Sequence, residues 1–154
     1  MIANILRVHI KNEIVCNAGF DVLENVPFDI KQFSQKTKAN EEISANNKVR
    51  AKKSGIIEAI TKSLKVHIKN AEMYRVGCIL LRNITTDSSK KPFLITSNEK
   101  FNKTDENKEE AGKAGAIETI TKAIKSYGID ERICYEGCKA LESIAMNRKA
   151  ILPN

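Results

Sequence analysis

Residues 54–64, SGIIEAITKSL, and residues 114–124, AGAIETITKAI, are two versions of one segment set 60 positions apart. The likeness extends outward on both sides. Residues 60–84 read ITKSLKVHIKNAEMYRVGCILLRNI, and residues 2–26 read IANILRVHIKNEIVCNAGFDVLENV. At an offset of 58, with no gap, Leu6, Val8, His9, Ile10, Lys11 and Asn12 fall on Leu64, Val66, His67, Ile68, Lys69 and Asn70, and Gly19, Leu23 and Asn25 fall on Gly77, Leu81 and Asn83. At an offset of 60, Ile133, Gly137, Cys138, Leu141 and Ile144 fall on Met73, Gly77, Cys78, Leu81 and Ile84. Ungapped self-similarity at a near-fixed period is the mark of a repeat architecture.

Each unit reads as three helices. Asn46 or Asn47, and Asn107, stand as caps before a short first helix, KVRAKKS or KEEAGKA. Gly55 and Gly115 end it, glycine being the residue best suited to a left-handed turn. A second helix runs from about Ile56 to Val66 with Ile57, Ile60 and Leu64 on one face, matched by Ile117, Ile120 and Ile124. A third, longer helix starts near Asn70 or Asp130, with Met73, Gly77, Leu80, Leu81 and Ile84 forming its apolar stripe. Gly19, Gly77 and Gly137 lie on that stripe, where the missing side chain lets a neighbouring helix come close. No segment sustains strand-like alternation. The expected class is all-α.

Short helix, glycine turn, helix, polar turn, long helix resembles an armadillo repeat. The resemblance rests on the entry Ser54 to Ile60 and Ala114 to Ile120, and on the closing segments Gly77 to Ile84 and Gly137 to Ile144. It implies an armadillo/HEAT-like right-handed superhelical solenoid of about three repeats, with HEAT repeats as the structural runner-up. Tetratricopeptide repeats do not fit, having a period of about 34 and two helices per unit. The single domain, 1–154, divides into units 1–26, 46–85 and 107–146, spacers 27–45 and 86–106, and the start of a further unit in 147–154. Periods of 58 and 60 exceed the ~40–47 of the class, which is why spacers are needed. Each spacer holds a similar element, Pro27-Phe28-Asp29-Ile30 and Pro92-Phe93-Leu94-Ile95. These read first as loops anchored on the core and second as protruding contact loops. Without polar capping units the expectation is either a piece of a longer solenoid or a chain whose ends pair with another copy and self-associate.

Composition limits what such a repeat could do. The 154 residues are 42% hydrophobic and 29% charged, which suits a folded chain. No apolar run approaches the ~20 residues of a membrane span, and Met1 to Leu6 do not resemble a secretory leader. An intracellular, cytoplasmic or secondarily nuclear, protein without membrane partners is expected. The net charge of +7 raises nucleic acid as a partner. However, 20 Lys, 20 Ile and 14 Asn together point to A+T-rich coding, and Glu41, Glu42, Asp105, Glu106, Glu109 and Glu110 break up the basic stretches. Nucleic-acid binding is therefore the alternative reading.

No catalytic constellation stands out. The four cysteines fall in register, Cys16 with Cys134 and Cys78 with Cys138, and read as small core residues rather than zinc ligands or disulfides. His9 and His67 are repeat equivalents in the turn before the third helix, with no nucleophile that recurs beside them. No metal, cofactor or enzymatic activity is expected.

The face of each third helix opposite its apolar stripe is the candidate surface. It carries Asp21, Glu24 and Asn25 in the first unit, Arg75, Ile79, Arg82 and Asn83 in the second, and Arg132, Tyr135 and Lys139 in the third. The resemblance implies that these helices line a concave groove that binds an extended peptide or protein. Asn25 and Asn83 match the position where importin-α- and β-catenin-type relatives clamp a peptide backbone, and Ser143 breaks that ladder. Asp21, Ile79 and Lys139 stand where the importin type carries Trp, which disfavours an adaptor for nuclear-localisation peptides. Arg75 and Arg82 can each grip a carboxylate bidentately. The expected ligand thus offers acidic groups to the middle unit and basic or neutral ones to the first.

Overall fold

The structure is a computed structural model that describes residues 1–86 and 102–146, without the side chains of residues 30 and 102–105. Among the described residues it is all helical: α1 (Ile2–Val8), α2 (Glu13–Glu24), a single 3-10 turn (Ile30–Gln32), α3 (Lys38–Ser54), α4 (Ile56–Val66), α5 (Ala71–Thr85), α6 (Asn102–Lys113), α7 (Ala116–Ser126) and α8 (Glu131–Ala145). None is long and apolar enough to cross a membrane. Pro92 to Ile95 and the segment 147–154 lie outside the described residues.

Local sequence sets the helix ends. Gly55 and Gly115 hold φ of +66° and +78°, the left-handed turn that separates α3 from α4 and α6 from α7. Asn12, Asn70 and Asp130 cap α2, α5 and α8, each accepting a backbone N–H with its side chain. Glycine on the third-helix stripe permits close packing. A Cβ on Gly77 would lie 2.7 Å from Leu64 Cδ2, and one on Gly137 would lie 2.9 Å from Ile124.

Equivalent helices pack on one another: α1 on α4 and α4 on α7, α2 on α5 and α5 on α8, α3 on α6. The middle unit, α3 to α5, thus lies between the other two, and α5 is buried on most sides, from Met73 and Tyr74 to Ile84 and Thr85. One set of polar bonds recurs from interface to interface. Arg7 donates to Ser54 O and Gly55 O, each at 3.2 Å, and its equivalent Lys65 donates to Ala114 O at 3.0 Å. These cations satisfy carbonyls that a helix leaves open at its C-terminus. His67 Nε2 lies 2.7 Å from Ile10 O, and the equivalent Tyr127 hydroxyl donates to Ile68 O over the same distance. A carbonyl can only accept, so Nε2 of His67 carries the proton. Within the second and third units, Lys48 Nζ donates to Thr86 O, and Lys108 Nζ donates to Met146 O at 2.8 Å. Both lysines are buried, at 4% and 7% exposure, as caps on the ends of α5 and α8.

The first helix of the unit departs from expectation. It is not short: α3 has 17 residues and is capped by Thr37, whose side chain accepts from Asn40 N. Residues 38–45 and 102–106 therefore belong to helices rather than spacers. Asn46, Asn47 and Asn107 are not caps but lie inside α3 and α6. Asn107 is fully buried and donates to Lys48 O and Ile84 O, each at 3.2 Å, while its equivalent Asn47 donates to Pro27 O at 3.2 Å. These amides tie the first helix to the end of the preceding third helix. Phe28 is 3% exposed, and Ser44 Oγ donates to its carbonyl, so the first Pro-Phe element is anchored rather than protruding.

Candidate functional site

The third helices α2, α5 and α8 lie side by side with their apolar stripes turned inward, Leu23, Leu81 and Ile144 among them. What remains outside includes the surface anticipated from the sequence. Between α5 and α8 it forms an open groove of about 610 Å³ lined by Arg75, Glu131, Arg132, Tyr135 and Glu136. Three of the anticipated residues, Arg75, Arg132 and Tyr135, are brought together there. Tyr135 is 59% exposed, a large aromatic in water on a helix whose opposite face is packed.

Charge in the groove is interleaved. Arg75 is held by Glu72 one turn back on α5, with Nε at 2.9 Å and Nη2 at 2.6 Å from carboxylate oxygens. That hydrogen bond keeps the Glu72 carboxyl below, and the Arg75 guanidinium above, its ordinary pKa; Glu24 on α2 and Glu136 on α8 add to the field at Arg75. Arg82 reaches across units to Glu136, Nη1 to Oε2 2.5 Å. Both arginines therefore grip carboxylates of their own chain, which narrows the expectation of an acidic ligand at the middle unit. Arg132 is 76% exposed; among the described residues it contacts Asp130 at 3.4 Å and adds to the field at Glu72.

The other anticipated residues divide. Asp21 and Glu24 on α2 and Asn25 at its C-terminal end are exposed and do not line the α5–α8 groove. Asn25 Nδ2 donates to Asp21 O at 2.8 Å, bonding its own helix rather than standing free. Asn83, on the same repeat position, is not exposed, at 7%, and does not line the α5–α8 groove. Ser143, the third occupant of that position, is 2.8 Å from Thr85 Oγ1 and 3.1 Å from Thr86 Oγ1, stapling α8 to the end of α5. Ile79 is half-buried, and Lys139 is exposed and paired with Glu142 at 2.8 Å.

Sequence reasoning supplies neither Glu131 nor Glu136, of which Glu136 is the one that pairs across units. Its signal was a charge at the repeat position where Ala18 and Val76 stand, an apolar slot in the other two copies. The cysteines also need correction. Cys16 and Cys78 are buried, and burial pushes the Cys78 thiol up to about 12. Cys134 is only half-buried and Cys138 is exposed, because α8 has no described helix packed over that side.

No family model, curated protein or solved structure matches the chain.

Proposed function

We propose that the protein is a non-enzymatic interaction scaffold, an armadillo/HEAT-like right-handed superhelical solenoid that binds an extended peptide or protein segment along its third helices. The observation that carries this reading is the groove between α5 and α8, where Tyr135 and Arg132, both exposed, stand over packed helices. Aromatic and arginine side chains are the residue types that dominate interface energetics, and packed helices present them without reordering the backbone. Nucleic acid fits less well. Phosphate would have to compete with Glu72 and Glu136 for Arg75 and Arg82, and a stripe of free cations is missing from the groove.

An array of extended peptides of mixed charge tests this. We expect a subset to bind, and the pair Arg132→Glu with Tyr135→Ala to weaken that binding by about 2 kcal/mol or more while helical content stays unchanged. Arg82→Glu is a poorer probe, because it would set two carboxylates against each other at the α5–α8 interface. Peptide binding that survives the double substitution moves the site elsewhere. Tight, steeply salt-dependent capture of a mixed-sequence oligonucleotide would favour the nucleic-acid reading instead.

A further inference from the structure

The two ends of the helix stack expose residues whose repeat equivalents are buried. At one end, Val22 is 53% exposed whereas its equivalents Leu80 and Ala140 are at 1% and 0%, and Ile5 is 39% exposed whereas Ser63 is at 0%. At the other, Ile117 is 41% exposed against 0% for Ile57, and Cys138 is exposed whereas Cys78 is at 0%. These are the slots that a neighbouring unit covers inside the molecule.

The polar groups at the two ends match as well. At the interface of the first and second units, Ile10 O takes His67 Nε2, Glu13 Oε1 takes Asn70 Nδ2 at 2.7 Å, Glu13 Oε2 lies 3.8 Å from His67 Nδ1, and Cys16 packs alongside. Carried forward by both repeat offsets, Ile10, Glu13 and Cys16 become Gly128, Glu131 and Cys134. Carried back by one, His67 and Asn70 become His9 and Asn12. His9, Asn12 and Glu131 are all exposed. Asn12 already accepts from Val15 N through Oδ1, as Asn70 does from Met73 N, which leaves its Nδ2 facing outward for a carboxylate. Beside Glu131 lies an open hollow of about 600 Å³ at the α7–α8 turn; the same turn between α1 and α2 is filled by His67 and Asn70. We propose that the α7–α8 end of one copy receives the α1–α2 end of a second copy, with Glu131 accepting from Asn12 and Gly128 O accepting from His9, so that the chain assembles head to tail.

The pairing is selective. The remaining internal interface uses Ala71 against Tyr127 and Asp130 in the slots of Glu13, His67 and Asn70. Glu131 would repel an edge carrying Asp130 but suits one carrying Asn12 and His9. A head-to-tail contact of this kind does not close on itself as a two-fold dimer does, so it yields a concentration-dependent series of oligomers.

Sedimentation velocity on the full chain tests this with two edge variants, Glu131→Arg and Val22→Arg, both at exposed positions, with circular dichroism checking that each stays helical. The wild type is expected to form a growing series of oligomers, and each variant alone to associate at least about tenfold more weakly. Mixed together, the two variants are expected to form one-to-one dimers and stop there, because each supplies the intact edge that the other lacks. A wild type that remains monomeric at the highest concentration reached overturns the proposal. So do variants that associate as the wild type does, or a mixture that gives no dimer.

Discussion

Tyr74 is fully buried, yet its hydroxyl has no hydrogen-bond partner among the described residues. Its ring packs on Tyr127 with centroids 5.9 Å apart, and burial pushes its pKa up to about 12. A buried donor without a partner costs about 1–3 kcal/mol. Tyr74→Phe keeps the ring and removes that cost, so chemical denaturation should show a gain of about 1 kcal/mol. A comparable loss would mean that the hydroxyl is satisfied. Leu81 is fully buried at a position that is apolar in all three copies; Leu81→Ala should lower stability by about 2–5 kcal/mol in the same assay. Gly77→Ala acts through crowding instead, since its Cβ would lie 2.7 and 2.8 Å from the two methyls of the buried Leu64, and a loss of about 1–3 kcal/mol is expected.

Among the helices, those with an apolar stripe and a glycine stop were legible in the sequence almost to the residue, as α4 from Ile56 to Val66 illustrates. The first helix of the unit was not. The inward side of α3 is made of Ser44, Lys48 and Ala51, and polar residues that are buried because they bond carbonyls leave no hydrophobic period to read. The same physics hid the role of Asn107. At the site, Arg75, Arg132 and Tyr135 could be found by subtracting the apolar stripe, whereas the burial of Asn83 and the Arg82–Glu136 pair depend on which helix of the next unit lies opposite. Lysine charge separates the two kinds of first-helix position. Lys48→Ala removes a buried cation from the half-buried carbonyl at the end of α5 and should cost about 1–3 kcal/mol. Lys52→Ala breaks only an exposed pair with Glu106 and should cost less than about 1 kcal/mol. On α5, the Glu72 carboxyl is held down by Arg75. A depressed carboxylate pKa contributes stability that is present above the unfolded value near 4.5 and fades as pH falls through the folded one. Because Glu72 is mostly exposed, Glu72→Gln should reduce the acid sensitivity of unfolding only slightly.

For the whole molecule, the unit made of α3 to α5 lies between its two neighbours, and α5 is covered by α2 on one side and α8 on the other. Where each unit leans mainly on the next, stability sums over units and their shared faces. Removing one rung should then weaken a single junction. Tyr127→Phe deletes the bond to Ile68 O and should loosen α6 to α8 while α1 and α2 keep their packing on the middle unit. Amide hydrogen exchange would read that directly, as faster exchange confined to the last three helices; acceleration spread evenly over the chain would point to one indivisible core. The position of α5 also sets a clock. Its buried side is shielded by both flanking helices, so its amides should exchange the slowest among the described helices and close to global opening, while α2 and α8 exchange through cheaper excursions that begin at the outer units and work inward.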